Sequence, residues 1–150
     1  MTDRIIVATF DSTNAAYDAA SAIKNLKNAD LTRFKLKAGI MVAKDSKGNV
    51  SVIEDRNRFL TGTTVGTAAG ALIGLIGGAP GAAIGAAIGA TMGLTSDAVM
   101  SSLDSDFVDD VTSEMKPGRT AVIVEADEGS TRAVDDIVAA GGGQVYRQAA

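Results

Sequence analysis

The residues of this chain that could do chemistry are carboxylates, lysines and hydroxyls, because the sequence contains no histidine and no cysteine. A His-based triad, a cysteine nucleophile and a structural zinc site are therefore excluded. The densest carboxylate cluster is Asp97, Asp104, Asp106, Asp109, Asp110 and Glu114. Calcium or magnesium would suit such a cluster, but it lacks the alternating aspartates, central glycine and terminal glutamate of a calcium loop. A solvated helix face, with acids drawn to a helix N-terminus, is the favoured reading. Opposite charge on Arg33, Lys35 and Lys37 would let that face meet a neighbouring copy. Asp135 and Asp136 are adjacent and diverge on a helix, so they are not expected to share acid-base work. Neither a Gly-x-x-x-x-Gly-Lys-Ser/Thr nor a Gly-x-Gly-x-x-Gly pattern occurs, so the abundant glycine is not a phosphate cradle. No catalytic residue, cofactor or metal is expected, and the protein is not expected to be an enzyme.

The strongest pattern is one of assembly. Gly62, Gly66, Gly70, Gly74 and Gly78, then Gly81, Gly85, Gly89 and Gly93, fall on a four-residue beat in two runs. Residues four apart on a helix lie nearly above one another, so each run makes a bare stripe on which another helix can pack closely. This glycine zipper lies in residues 59–96, where 38 positions between Arg58 and Asp97 carry no charge. The bulky residues among them include Leu72, Ile73, Leu75, Ile76, Ile84, Ile88 and Met92, expected to contact lipid or another subunit.

Two flanks must carry that segment. Residues 1–58 hold 10 Lys/Arg against 7 Asp/Glu, or +3, and residues 97–150 hold 4 against 11, or −7, which accounts for the net −4. An acidic chain with no mixed basic and aromatic patch is a poor fit to nucleic acid. In the first flank, residues 4–10 read as a strand, and Asp11 or Ser12 caps a helix running to Leu26 with Ala16, Ala19, Ala20 and Ile23 at helical spacing. Residues 34–44 and 50–54 read as strands joined by a turn at Asp45-Ser46-Lys47-Gly48-Asn49. In the second flank a helical period runs from Val99 to Met115, with a break near Asp104-Ser105 and a stop at Lys116-Pro117-Gly118. A strand at 120–125, a helix at 131–140, the stop Gly141-Gly142-Gly143 and a strand at 144–147 follow. The expected fold is α+β: a ferredoxin-like antiparallel sheet assembled from both flanks, 1–58 and 97–150, with 59–96 inserted as a Gly/Ala-rich helical hairpin turning at Pro80.

Each arm of that hairpin has roughly 16 residues and reaches roughly 24 Å at the α-helical rise, against a hydrocarbon core of about 30 Å. Three arrangements fit: a span of a thinned bilayer, a re-entrant wedge, or hairpins packed together in a soluble homo-oligomer. The strand-like opening at Ile5 to Phe10 is too short for a signal peptide. The expected place is the cytoplasm or the cytoplasmic face of the inner membrane.

The strand of Ile5 to Phe10, the segment from Thr61-Gly62 to Gly93-Leu94, and Lys116-Pro117-Gly118 before Ala121-Val122-Ile123-Val124 together resemble a family of bacterial proteins that share a domain of unknown function. Its members are often labelled membrane proteins. The resemblance implies the same architecture and membrane label, with no catalytic motif. The expected function is therefore homo-oligomerisation through the zipper with membrane association. The alternative is a soluble particle or shell with the hairpins as its buried core.

Overall fold

The computed structural model describes residues 2–26, 34–53, 76 and 104–149. Chain order runs β1 (Thr2–Phe10), α1 (Thr13–Leu26), β2 (Phe34–Lys44), β3 (Val50–Ile53), α2 (Ser105–Glu114), β4 (Thr120–Glu128), α3 (Arg132–Ala140) and β5 (Gln144–Ala149). The fold is mixed α+β, and the described strands form one sheet in the order β3-β2-β4-β1-β5. Every pairing is antiparallel. β4 of the second flank lies between β1 and β2 of the first, and β1 in turn lies between β4 and β5. Neither flank contains a continuous sheet without the other.

Local chemistry places the elements. Ser12 begins α1, its Oγ accepting the Ala15 N–H at 3.1 Å, the N-cap bond that spares one orphan donor of the first turn. Asp45 organises the β2–β3 turn, its Oδ1 accepting the N–H groups of Lys47 at 2.8 Å and Asn49 at 2.9 Å. These bonds favour the ionised form. The Asn49 N–H bond leads in holding the Asp45 carboxyl below its ordinary pKa, against a smaller opposing effect of desolvation. Gly48 closes the turn at φ +87°, a conformation costly to any residue with a Cβ.

Both faces of the sheet are covered. On one, Ile6, Ala8, Phe10, Met41, Val122 and Val124 pack under α1 and α3, which contribute Ala16, Ala19, Ala20, Ile23, Val134 and Val138. Alanine at three of those α1 positions lets the helix lie close to the strands. On the other, Ile5, Val7, Ile40, Val42, Ala121 and Ile123 pack with Phe107 and Val111 of α2, with Met115 just beyond it, and with Ile76. A β-bulge serves both layers. Leu36 pairs with Ala126 and Ala38 with Glu125, so Lys37 is an additional residue. Phe34 and Met41 thereby face the same layer although seven positions apart, and Ile40 and Val42 face the opposite one.

Several elements end differently from the sequence reading. β4 reaches Glu128 instead of residue 125, because Thr2 and Phe34 pair with Glu128 from its two sides. β5 reaches Ala149 because Arg4 pairs with it. β3 ends at Ile53. Asp104 occupies the N-cap position of α2 but makes no side-chain cap bond.

Candidate functional site

The beginning of α2 lies against β5, and between them is an open cavity of about 390 Å³ lined by Asp104, Ser105, Asp106, Phe107, Asp110, Tyr146 and Arg147. The Asp104 N–H donates to Gln148 Oε1 at 2.7 Å, tying the entry of the helix to the strand. Asp104, Asp106, Asp109 and Asp110 are exposed and Glu114 is half-buried; Asp97 lies outside the described residues. Among the described residues no group of three or more carboxylates is placed to hold a metal ion. Burial first, then the charge and hydrogen bond of Glu114 and the charge of Asp110, push the Tyr146 phenol above its ordinary pKa, with Arg119 opposing. Tyr146 therefore stays protonated at neutral pH and acts as a hydrogen-bond donor, not as a base.

A second place holds Ile76, the described residue of the glycine-rich segment. Ile76, expected to contact lipid or a subunit, is helical and 3% exposed in the core layer beneath α2. Lys44, at the end of β2, donates from Nζ to the Ile76 carbonyl oxygen at 3.2 Å. The other ridge residues, Leu72, Ile73, Leu75, Ile84, Ile88 and Met92, lie outside the described residues, as do all nine glycines from Gly62 to Gly93. So does the Pro80 turn.

Two charge clusters had no signature in the sequence. The Glu128 side chain is completely buried and receives Arg147 Nε at 2.9 Å and Nη2 at 3.1 Å. Arg147 also reaches Asp135 at 2.7 Å and donates to the Thr131 carbonyl at 3.1 Å, while Arg4 lies 3.7 Å from Glu128. Burial pulls the Arg147 pKa down, but its bonds and charge pairing with Glu128 and Asp135 outweigh that and the net shift is up. Asp135 thus meets a cation, while Asp136 is exposed. At the opposite end of β4, Arg119 joins Asp11, Glu114 at 3.8 Å and Thr9 Oγ1 at 3.4 Å. Nearby the Thr13 and Thr120 hydroxyls pair at 3.2 Å. Apart from Arg119 and Glu114, these partners are 12 or more residues apart in sequence and are brought together by the fold, so spacing along the chain could not reveal them.

Among curated proteins and solved structures nothing matches the chain. The family described as protein of unknown function DUF1269 matches residues 62–149. That stretch holds the nine glycines from Gly62 to Gly93, Ile76, Lys116-Pro117-Gly118, α2, β4, α3 and β5, whereas Ile5 to Phe10 falls before it. Because the match covers more than half of the sequence, the chain belongs to the DUF1269 family.

Proposed function

We propose that this is a non-enzymatic, self-assembling protein in which residues 59–96 form a glycine-zipper helical hairpin that mediates homo-oligomerisation. The hairpin is carried by a ferredoxin-like sheet, a plan supported by the strand order β2-β4-β1-β5, with β3 added at the edge. One observation carries the reading: Ile76 turns toward the domain's own core, beneath α2. On the helix expected for the first arm, Leu72 and Ile73 lie within about 60° of Ile76, whereas Gly74 and Gly78 lie about 160° round from it. An arm seated through Ile76 directs its bulky ridge at the sheet and its glycine stripe outward. A bare stripe facing away from its own domain is suited to a second helix, from the other arm or from another subunit.

The setting has two versions. In the first, assembly takes place at or partly in the cytoplasmic face of the membrane. In the second, the hairpins are the buried core of a soluble particle. The seat of Ile76 favours the second, since a side chain buried in the domain's own core is withheld from lipid. No helix among the described residues is long and apolar enough to cross a membrane.

Expression without detergent, fractionation and light scattering on the soluble protein test the proposal. A species several times the 15.2 kDa chain mass is expected. Gly74→Leu should return it toward the monomer by steric exclusion while leaving the far-UV circular dichroism of the sheet unchanged. A wild type that stays monomeric at every concentration refutes self-assembly. Recovery only in carbonate-resistant membranes would select the lipid setting.

A further inference from the structure

We infer that Lys44 is a positioning residue for assembly: by capping the carbonyl of Ile76 it fixes the glycine-rich segment on the sheet and so sets the direction in which the stripe is presented. The inference rests on the self-assembly proposed above. In an α-helix the carbonyl of one residue accepts the N–H of the residue four further on. Four residues after Ile76 comes Pro80, which has no N–H to give. The Ile76 carbonyl is thus an acceptor that its own helix cannot satisfy in that way, and Ile76 is 3% exposed, where a missing partner is costly.

Lys44 supplies the partner, with Nζ at 3.2 Å in a part-buried contact between residues 32 positions apart. An ammonium is well suited to the role. It makes a charge-assisted bond. Lys44 is itself held at both backbone groups. Its N–H donates to the Arg119 carbonyl at 2.9 Å, and its carbonyl accepts the Gly118 N–H at 2.7 Å. The cap therefore springs from a fixed point, where the end of β2 meets the turn leading into β4.

Lys44 precedes the family-matched residues 62–149 and Ile76 lies within them, so the contact adds to the strand pairings that already join the two stretches. Val42, two residues before Lys44 on β2, belongs to the same core layer as Ile76. Side-chain packing and the polar cap thus act on Ile76 from the same strand.

The test uses the full-length protein with Lys44→Met, which keeps the aliphatic stem and removes the donor, and Lys44→Arg, which keeps a cation. Hydrogen exchange by mass spectrometry reads the peptide containing Ile76, with a β4 peptide as the folding control. Light scattering over a concentration series reads assembly. Lys44→Met should speed exchange at Ile76 by about tenfold, the order expected for loss of one charge-assisted bond, and weaken self-association by a similar factor. Lys44→Arg should behave as wild type in both. Unchanged exchange in Lys44→Met overturns the cap. Faster exchange with unaltered assembly overturns the positioning role and leaves self-assembly standing. A monomeric wild type overturns both. Should Lys44→Met fail the β4 control, Lys44→Leu, which likewise has no donor, carries the same readings.

Discussion

Arg147→Met removes the main partner of a carboxylate that has no access to solvent. The Glu128 side chain is 0% exposed and loses two N–H donors, at 2.9 and 3.1 Å. The cation left near it is Arg4, 3.7 Å away and 31% exposed. Removing one member of a buried pair costs about 3 to 5 kcal/mol, mainly as the penalty of the charge left behind. The remaining Arg4 places this case at the lower end, about 3 kcal/mol. Methionine retains the packing of the arginine stem, so little of the loss is steric. For a chain of this size the change corresponds to roughly 6 to 12 °C in Tm. Urea unfolding followed by circular dichroism measures it, at one fixed protein concentration because assembly would otherwise contribute to stability. The double variant Glu128→Leu/Arg147→Met removes the stranded charge as well and should recover to within about 1 kcal/mol of wild type. A single variant that loses less than about 1 kcal/mol, or a double variant as unstable as the single one, would show that the pair does not act as argued.

Two further outcomes follow from local geometry. A Cβ on Gly143 would sit 2.6 Å from the Thr9 carbonyl oxygen and 2.7 Å from the Phe10 ring; Gly143→Ala should therefore push β5 off β1 and cost about 1 to 3 kcal/mol. At Gly141 the closest approach is 3.0 Å, to the Phe10 ring, so Gly141→Ala should cost less, and comparing their urea midpoints checks the order. Tyr146 holds its proton more tightly in the folded state than in the unfolded chain, where tyrosine titrates near its ordinary value of about 10. Its contribution is complete below that pH and is lost as pH rises through the folded value, so Tyr146→Phe should flatten the alkaline limb of a stability-against-pH curve.

The elements written in local pattern were legible. Helical spacing of the α1 alanines, the Asp45 to Asn49 turn and the Lys116-Pro117-Gly118 stop depend on neighbours in sequence, and each stands where the residues place it. Strand ends were less so. Ala126-Asp127-Glu128 has no strand propensity worth the name, yet it is held as strand by ladders on both sides. In β2, Met41 faces one layer and Ile40 and Val42 the other, and what covers that second face, α2 with Ile76, depends on distant chain. The buried Glu128 was opaque for the same reason. Nothing in Asp127-Glu128-Gly129 separates a charge paired in the interior from one in a solvated turn, and its partner follows 19 residues later across an intervening helix.

The strand order also bears on what the DUF1269 stretch requires. Residues 62–149 contain β4 and β5, but these are not neighbours: β1 lies between them and pairs with both. The first flank therefore supplies the strand that closes the core as well as two at the edge. Ile6 and Phe10 of β1 pack with Val122, Val134 and Val138 on one face, and Ile5 and Val7 pack with Val111 and Ile76 on the other. The layer that seats Ile76 is thus built jointly by the two flanks. The hairpin proposed above would, if presented from that layer, inherit its orientation from the whole sheet, which is a physical reason for the proposed assembly segment to lie between the halves of the domain instead of at one end of it.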